Sequence, residues 1–282
     1  MVREFNVSDI IEPVRQLCIE ANTVLPEDVK RYLLDAAKSE ESPVGREILA
    51  QITENIDIAC KEKLPICQDT GVAVLFVELG QDVCLVGGNF TDAINEGVRR
   101  GYTDGYLRKS IVDDPAGARV NTKDNTPAII HLDLVPGDKI KLTIAPKGGG
   151  SENMSTVKMM KPAEGLEGIK KFVVDWVHQA GGNPCPPVIV GIGIGGNFEH
   201  VAYLAKKALL RDIGSHNPNK RYADAEQEIL DAINKTGVGP MGLGGRVTAL
   251  AVMIETHPCH IASMPVAINI NCHAARHKTV IL

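Results

Sequence analysis

Three short segments place a thiol among residues that can do chemistry. In LPICQDTG (64–71), Cys67 stands directly beside the amide of Gln68 and the carboxylate of Asp69, bracketed by Pro65 and Gly71. Cys185 lies in NPCPPVIVGIGIGG and Cys272 in AININCHAARH. Each ends an apolar stretch or sits in a Pro/Gly loop, where a side chain can face a cavity. Taken singly, any of them reads as packing. Together they point to a shared metal, because an odd total of seven cysteines in 282 residues fits a disulfide framework poorly. The other thiols read differently: Cys18 and Cys60 fall on or near helical apolar faces and Cys84 in an apolar strand, so core packing is expected for all three. Cys259 carries no assignment.

No CxxC pair or Cys/His zinc spacing occurs, so a metal site must be assembled from distant parts of the chain. Three thiolates suit an iron–sulfur cluster better than zinc, since both a structural zinc site and an electron-transfer cluster are filled by four protein ligands. Three ligands leave one iron open, and an open iron is a Lewis acid suited to non-redox hydration and dehydration. Other segments suit an anionic substrate. KGGGSENMS (147–155) offers glycine amides and a cation for a carboxylate. RVNTKDNTPA packs Asn121, Thr122, Asn125 and Thr126 into a dense hydrogen-bonding loop. Arg108, in YLRKS, can clamp a carboxylate with both arms of its guanidinium; the plain alternative is a solvated helix arginine.

The elements that must position these groups follow from periodicity. The first sixty residues read as helices, with apolar residues at helical spacing in PEDVKRYLLDAAKSE and PVGREILAQITENIDIACKEK. VAVLFVELG and DVCLVGG read as strands, DAINEGVRRGYTDGYLRKS as a helix, and PAIIHLDLV and KIKLTIAPK as two arms of a hairpin turning at PGD. KKFVVDWVHQAGG and HVAYLAKKALLRDI are helical, while PPVIVGIGIGG, RVTALAVMIE and MPVAININ are buried strands. No repeat, low-complexity tract or charged linker divides residues 1–282, so one domain is expected. The mixed order without sustained βαβ alternation predicts an α+β fold. GIGIGG matches a dinucleotide-binding string, but no βαβ unit with a closing acidic residue follows; the alternative is a turn where backbones approach closely.

The net charge of −5, with no Lys/Arg-rich run, gives no reason to expect a nucleic-acid or membrane partner. The opening MVREFNVSDI lacks the apolar stretch of a signal peptide, and no segment approaches the roughly 20 apolar residues of a membrane span, so a cytoplasmic protein is expected.

CQDTG, LR followed by NTKDNTPA, KGGGSEN, CPPVIVGIGIGG and HIASMPVAININCHAAR, in that order over essentially the whole chain, resemble the α subunits of the two-subunit, class I iron–sulfur fumarate hydratases, and equally those of the L(+)-tartrate dehydratases. The resemblance implies that Cys67, Cys185 and Cys272 ligate a [4Fe-4S] cluster with one iron not bound by a protein thiolate. It implies that Gln68 and Asp69 line the substrate pocket, that Asp69 shares in proton handling, and that Arg108 and Gly149 contact substrate. His260, twelve residues before Cys272, matches the active-site histidine. Reversible hydration of fumarate to L-malate is the leading expectation, with dehydration of L(+)-tartrate to oxaloacetate as the alternative and a non-catalytic iron–sulfur sensor as the remote one. Single-chain members continue into a second domain with further substrate-binding groups. A separate β subunit and a hetero-oligomer are therefore expected here.

Overall fold

The computed structural model describes residues 2–282. In chain order its elements are β1 (Arg3–Asn6), α1 (Ile11–Thr23), α2 (Glu27–Ser39), α3 (Pro43–Glu62), β2 (Val72–Gly80), β3 (Val83–Val86), α4 (Phe90–Asp104), β4 (Ile129–Val135) and β5 (Ile140–Lys147). There follow α5 (Gly149–Glu152), β6 (Thr156–Met160), α6 (Gly165–Ala180), β7 (Val188–Gly195), α7 (Phe198–Ala208), α8 (Lys220–Asn234), β8 (Ala249–His257), β9 (Met264–Asn271) and β10 (Lys278–Ile281). The fold is α+β, with mixed sheets. The chain separates into two compact units, each discontinuous in sequence. Among the described residues, unit 1 holds 2–26, 56–149 and 276–282, and unit 2 holds 27–55 and 150–275.

Unit 1 is built on a four-stranded sheet in the order β10-β5-β2-β4, with β2 parallel to β4 and antiparallel to β5. Alternate residues of the strands, Leu75 and Val77 from β2 with Leu142 and Ile144 from β5, face α1 and α4 and bury Val14, Leu17, Cys18, Val98 and Tyr102. The expected PGD hairpin is not formed. β4 and β5 run antiparallel but β2 lies between them, and the turn instead folds over the end of β2. There Gly80 N donates to Lys139 O and Gln81 N to Val135 O, each at 2.8 Å. VAVLFVELG is apolar on both faces and buried almost throughout, so it takes the central place that a two-stranded hairpin would have denied it.

Unit 2 holds a second four-stranded sheet, β6-β9-β7-β8, in which β7 is parallel to β8 and antiparallel to β9. Val188, Val190, Ile192 and Ile194 of β7 pack against Val173 and Val177 of α6 and Ile229 and Ile233 of α8. Of the intervening residues Ile189, Gly191 and Gly193, the two glycines face α7. A Cβ at either would stand 2.2 Å from a helix carbonyl, that of Ala205 or of Val201. GIGIGG is therefore a packing device that admits a helix against a strand.

Cysteine placement departs from expectation twice. Cys18 is fully buried, and burial pushes its thiol well above the usual range. Cys60 and Cys84 are exposed. In α3 the buried stripe runs through Ile52, Ile56 and Ala59, leaving Cys60 outside. β3 belongs to a two-stranded ribbon with β1, not to a covered sheet. No helix among the described residues is long and apolar enough to cross a membrane.

Within unit 2 a buried carboxylate fastens the glycine-rich turn before β8. Glu40 Oε1 accepts from Ser42 N (2.8 Å) and Arg246 N (2.9 Å), while Oε2 accepts from Val247 N (2.7 Å). Burial opposes ionisation of Glu40, but the amides of Val247, Ser42, Arg246 and Glu41 prevail and hold its carboxyl below the ordinary range. A lowered folded-state pKa means stability that is present above the unfolded value, about 4.3, and lost as pH falls through the folded value. Glu40→Gln should cost roughly 1.5–3 kcal/mol at pH 7 in chemical denaturation, the range for hydrogen bonds to a charged group. The difference from wild type should shrink below about pH 4.3; a constant difference across that range would exclude the charge as its source.

Candidate active site

The loop CQDTG is held through the backbone of its last three residues, Asp69 to Gly71. Gly71 adopts φ +74°, and a Cβ there would lie 2.6 Å from the carbonyl carbon of Lys147. Only glycine satisfies both demands. Its carbonyl accepts from Tyr102 OH (3.0 Å) and Asn125 Nδ2 (3.0 Å), and the Thr70 carbonyl accepts from the same phenol at 2.9 Å. Tyr102 and Asn125 are fully buried, and burial pushes the Tyr102 phenol far above its usual pKa, so it acts as a permanent donor. Arg276 Nη2 donates to Asp69 O at 2.6 Å, and Thr70 Oγ1 donates to Arg108 O at 2.9 Å.

This clamp brings five of the expected site residues into one part of unit 1. Cys67 is half-buried, with its Sγ accepting from Asp69 N at 3.4 Å. The carboxylate of Asp69 takes Gly71 N on Oδ1 (3.0 Å) and Gly149 N on Oδ2 (2.7 Å), so it ties the KGGG segment to the CQDTG loop. Gln68 and Gly149 are exposed beside it. Arg108 is also exposed but is not on a helix. α4 stops at Asp104 with Gly105 as its cap, and Tyr106 follows at φ +52°. Arg108 therefore lies in the loop whose carbonyl Thr70 holds, and Asn125 secures the same loop by accepting from Ser110 N at 2.7 Å.

Cys185 and Cys272 belong to unit 2. The Cys185 carbonyl accepts from His273 Nδ1 at 3.0 Å and from His273 N at 3.3 Å, which draws together the two segments that carry these thiols. Cys185 itself sits at φ +55°, a conformation uncommon for a residue with a side chain. Both thiols are half-buried. Among the described residues, no three His, Cys, Asp or Glu side chains converge as ligands of a single metal ion would. A cluster makes no such demand, because its thiolates bind different irons. By chemistry each of the three suits one: all are thiols and none is sealed in the core as Cys18 is, while Cys185 and Cys272, both in unit 2, stand on segments joined by hydrogen bonds.

His260 lies on the rim of an open cleft of about 660 Å³ in unit 2, with His200, His257, Pro258 and Cys259. Its Nδ1 accepts from Ala262 N at 3.1 Å. A neutral ring that accepts at Nδ1 carries its proton on Nε2, so His260 offers a donor to the cleft. The His200 and His257 rings meet edge to face at 4.6 Å, and the buried His200 Nε2 has no hydrogen-bond partner among the described residues.

Sequence reasoning passed over Tyr102, Arg276 and His273. Nothing in a lone tyrosine on a helix or an arginine near the last strand marks it as a clamp; that role arises from contacts 31 and 207 positions away in sequence. Asn125 was within reach, since it lies in the conspicuous polar loop.

The family model for fumarate hydratase (Fumerase) matches residues 11–281. The chain is 44% identical over 274 residues to the putative L(+)-tartrate dehydratase subunit alpha of Methanocaldococcus jannaschii, covering 96% of this chain and 95% of that one. It is 32% identical over 279 residues to the L(+)-tartrate dehydratase subunit alpha of Escherichia coli K12, covering 98% and 91%. These likenesses place the chain among the hydro-lyases. It belongs to the fumarate hydratase (Fumerase) family.

Removal of the Asn125 side chain should loosen the clamp. Asn125→Ala leaves Ser110 N without its partner and the buried Gly71 carbonyl with one donor fewer, at a cost of roughly 1–3 kcal/mol. Urea denaturation should read that loss. Alkylation of Cys67, followed by peptide mass spectrometry, should speed up relative to Cys60; unchanged Cys67 labelling would mean that Asn125 does not hold the loop.

Proposed function

We propose that the chain is the α-type subunit of an iron–sulfur hydro-lyase acting on a small dicarboxylate, with dehydration of L(+)-tartrate to oxaloacetate as the reaction. The observation that carries the choice of substrate is likeness over nearly the full length to chains named as tartrate dehydratase α subunits. This reverses the order of preference drawn from sequence alone. Hydration of fumarate to L-malate is the second reading, supported by the family's own description.

In this reading Cys67, Cys185 and Cys272 hold a [4Fe-4S] cluster as thiolates. When bound, it supplies a Lewis-acidic iron, free of protein thiolate, for the substrate hydroxyl. The remaining work belongs to side chains and amides. Arg108 pairs with a substrate carboxylate, and Gln68 with the exposed Gly149 segment orients it. Dehydration removes a proton from a carbon beside one carboxylate and hydroxide from its neighbour. His260, with its proton on Nε2, is assigned to donate toward a substrate oxygen. Asp69 holds Gly149 by its carboxylate and Cys67 by its backbone N–H, and the lone pairs its two amides leave open take a share in proton handling. A β subunit supplies the rest of the pocket, in keeping with the word subunit in the relatives' names.

Anaerobically purified or reconstituted protein should carry about four irons per chain and absorb in the visible. Cys67→Ser, Cys185→Ser or Cys272→Ser should lose that absorption, whereas Cys18→Ser, Cys60→Ser or Cys84→Ser should keep it. Equal loss from Cys84→Ser and Cys185→Ser would overturn the ligand assignment.

In the complex with the β subunit, kcat/KM for L(+)-tartrate should exceed that for fumarate, and the reverse result would establish the second reading. His260→Asn should keep iron content and melting temperature but lower turnover by roughly 10²-fold, the scale of a lost acid–base group. His260→Gln, whose amide reaches closer to the Nε2 position, should lose less. Wild-type turnover in His260→Asn would remove the residue from the chemistry.

A further inference from the structure

A guanidinium taken out of water is costly unless an acid accompanies it. Partly covered arginines elsewhere in the chain keep that rule: Arg15 meets Asp104 at 2.6 Å, and Arg211 meets Glu226 at 2.7 Å. Arg276 breaks it. It is 4% exposed, the one arginine buried among the described residues. Its Nη2 donates to a neutral acceptor, the Asp69 carbonyl, at 2.6 Å, and its buried Nε has no hydrogen-bond partner among the described residues. The carboxylate of Asp69 is turned instead to the amides of Gly71 and Gly149. A hydrogen-bond acceptor alone satisfies Nε; it does not neutralise the cation.

The charge sits at the Cys67 loop, within unit 1. The carbonyl that Nη2 holds belongs to the residue whose N–H donates to Cys67 Sγ at 3.4 Å. Tyr102, which clamps the next two carbonyls of the loop, feels the same cation: burial raises the pKa of the phenol, and the charge of Arg276 opposes that rise. In sequence, Arg276 stands four positions after Cys272.

We propose that Arg276 is the charge partner of the iron–sulfur cluster, a positioning residue whose guanidinium offsets the negative charge of the loaded site while it keeps the Asp69 backbone against Cys67. This role rests on Cys67, Cys185 and Cys272 as ligands, as proposed above. Three thiolates outweigh the double positive charge of an oxidised [4Fe-4S] core, so the loaded site is anionic, and a dicarboxylate adds to that charge. A cation already desolvated by the fold meets it with no further loss of hydration. Arginine suits the task better than lysine, because a guanidinium stays protonated when buried and can hold a carbonyl without giving up its spread charge.

The full chain, compared with the cluster absent and after anaerobic reconstitution, tests the role. Arg276→Gln keeps a hydrogen-bond donor and removes the charge, whereas Arg276→Lys keeps the charge on a compact head. Without the cluster, Arg276→Gln should melt within about 3 °C of wild type, since relief of an unpaired buried cation offsets the weakened bond. With the cluster bound, the same variant should fall further below wild type in melting temperature. It should lose its visible absorption to a chelator roughly 10-fold faster or more, and show a more negative cluster reduction potential. Arg276→Lys should stay closer to wild type in all three readouts. A purely structural clamp predicts equal losses with and without the cluster and an unmoved potential, and that result would overturn the proposal. So would equal losses in the Gln and Lys variants, or an Arg276→Gln chain that circular dichroism shows unfolded before any cluster is added. If wild type itself takes up no iron–sulfur cluster, the ligand assignment fails and Arg276 loses its role with it. A cluster that forms in wild type and is indifferent to Arg276→Gln removes the role of Arg276 alone.

Discussion

The carbonyl oxygen of Gly71 accepts two buried hydrogen bonds, from Tyr102 and Asn125, and much of unit 1 is organised around it. Gly71 must be left-handed and must lie against the backbone of Lys147, which pins the start of β2 to the end of β5. The loop preceding it is thereby fixed before any ligand is considered. Asp69 then reaches Gly149, Thr70 reaches the carbonyl of Arg108, and Cys67 is left half-exposed on a rigid support. Catalytic groups on loops need such support, because small misplacements are costly to rates.

Unit 2 reaches comparable rigidity by other means. Gly191 and Gly193 bring α7 close onto β7, while the opposite face of the same strand is filled by branched side chains. At the other end of the unit, Glu40 collects backbone amides that a glycine-rich turn cannot pair within itself. An ionised carboxylate buried with three amide neighbours is stable only because each of its oxygens is engaged. In both units, one group with several partners fixes a segment that has little regular structure of its own.

Periodicity located most of the long elements, because amphipathic helices such as α2 and α4 and all-apolar strands such as β2 and β7 announce their burial. It failed where pairing is non-local. PGD between two apolar runs looks like a hairpin turn, and nothing local says that a third strand from fifty residues earlier will enter between them. Cys60 and Cys84 were misread because a helical stripe or an apolar run does not say where its covering ends. The five expected site residues that fall in unit 1 were legible as residue types in motifs. Their mutual placement was not, since it depends on Tyr102 and Arg276, whose roles exist only in three dimensions.

The order of synthesis gives one topological feature a temporal meaning. β10 pairs with β5 in unit 1, yet residues 150–275, which belong to unit 2, come between them in the chain. On the ribosome, unit 2 can emerge and condense while the outer edge of β5 still waits for its neighbour, and while the carbonyl of Asp69 still waits for Arg276. Nascent unit 1 thus passes through a stage in which its sheet is three strands wide and the loop bearing Cys67 lacks one of its fastenings.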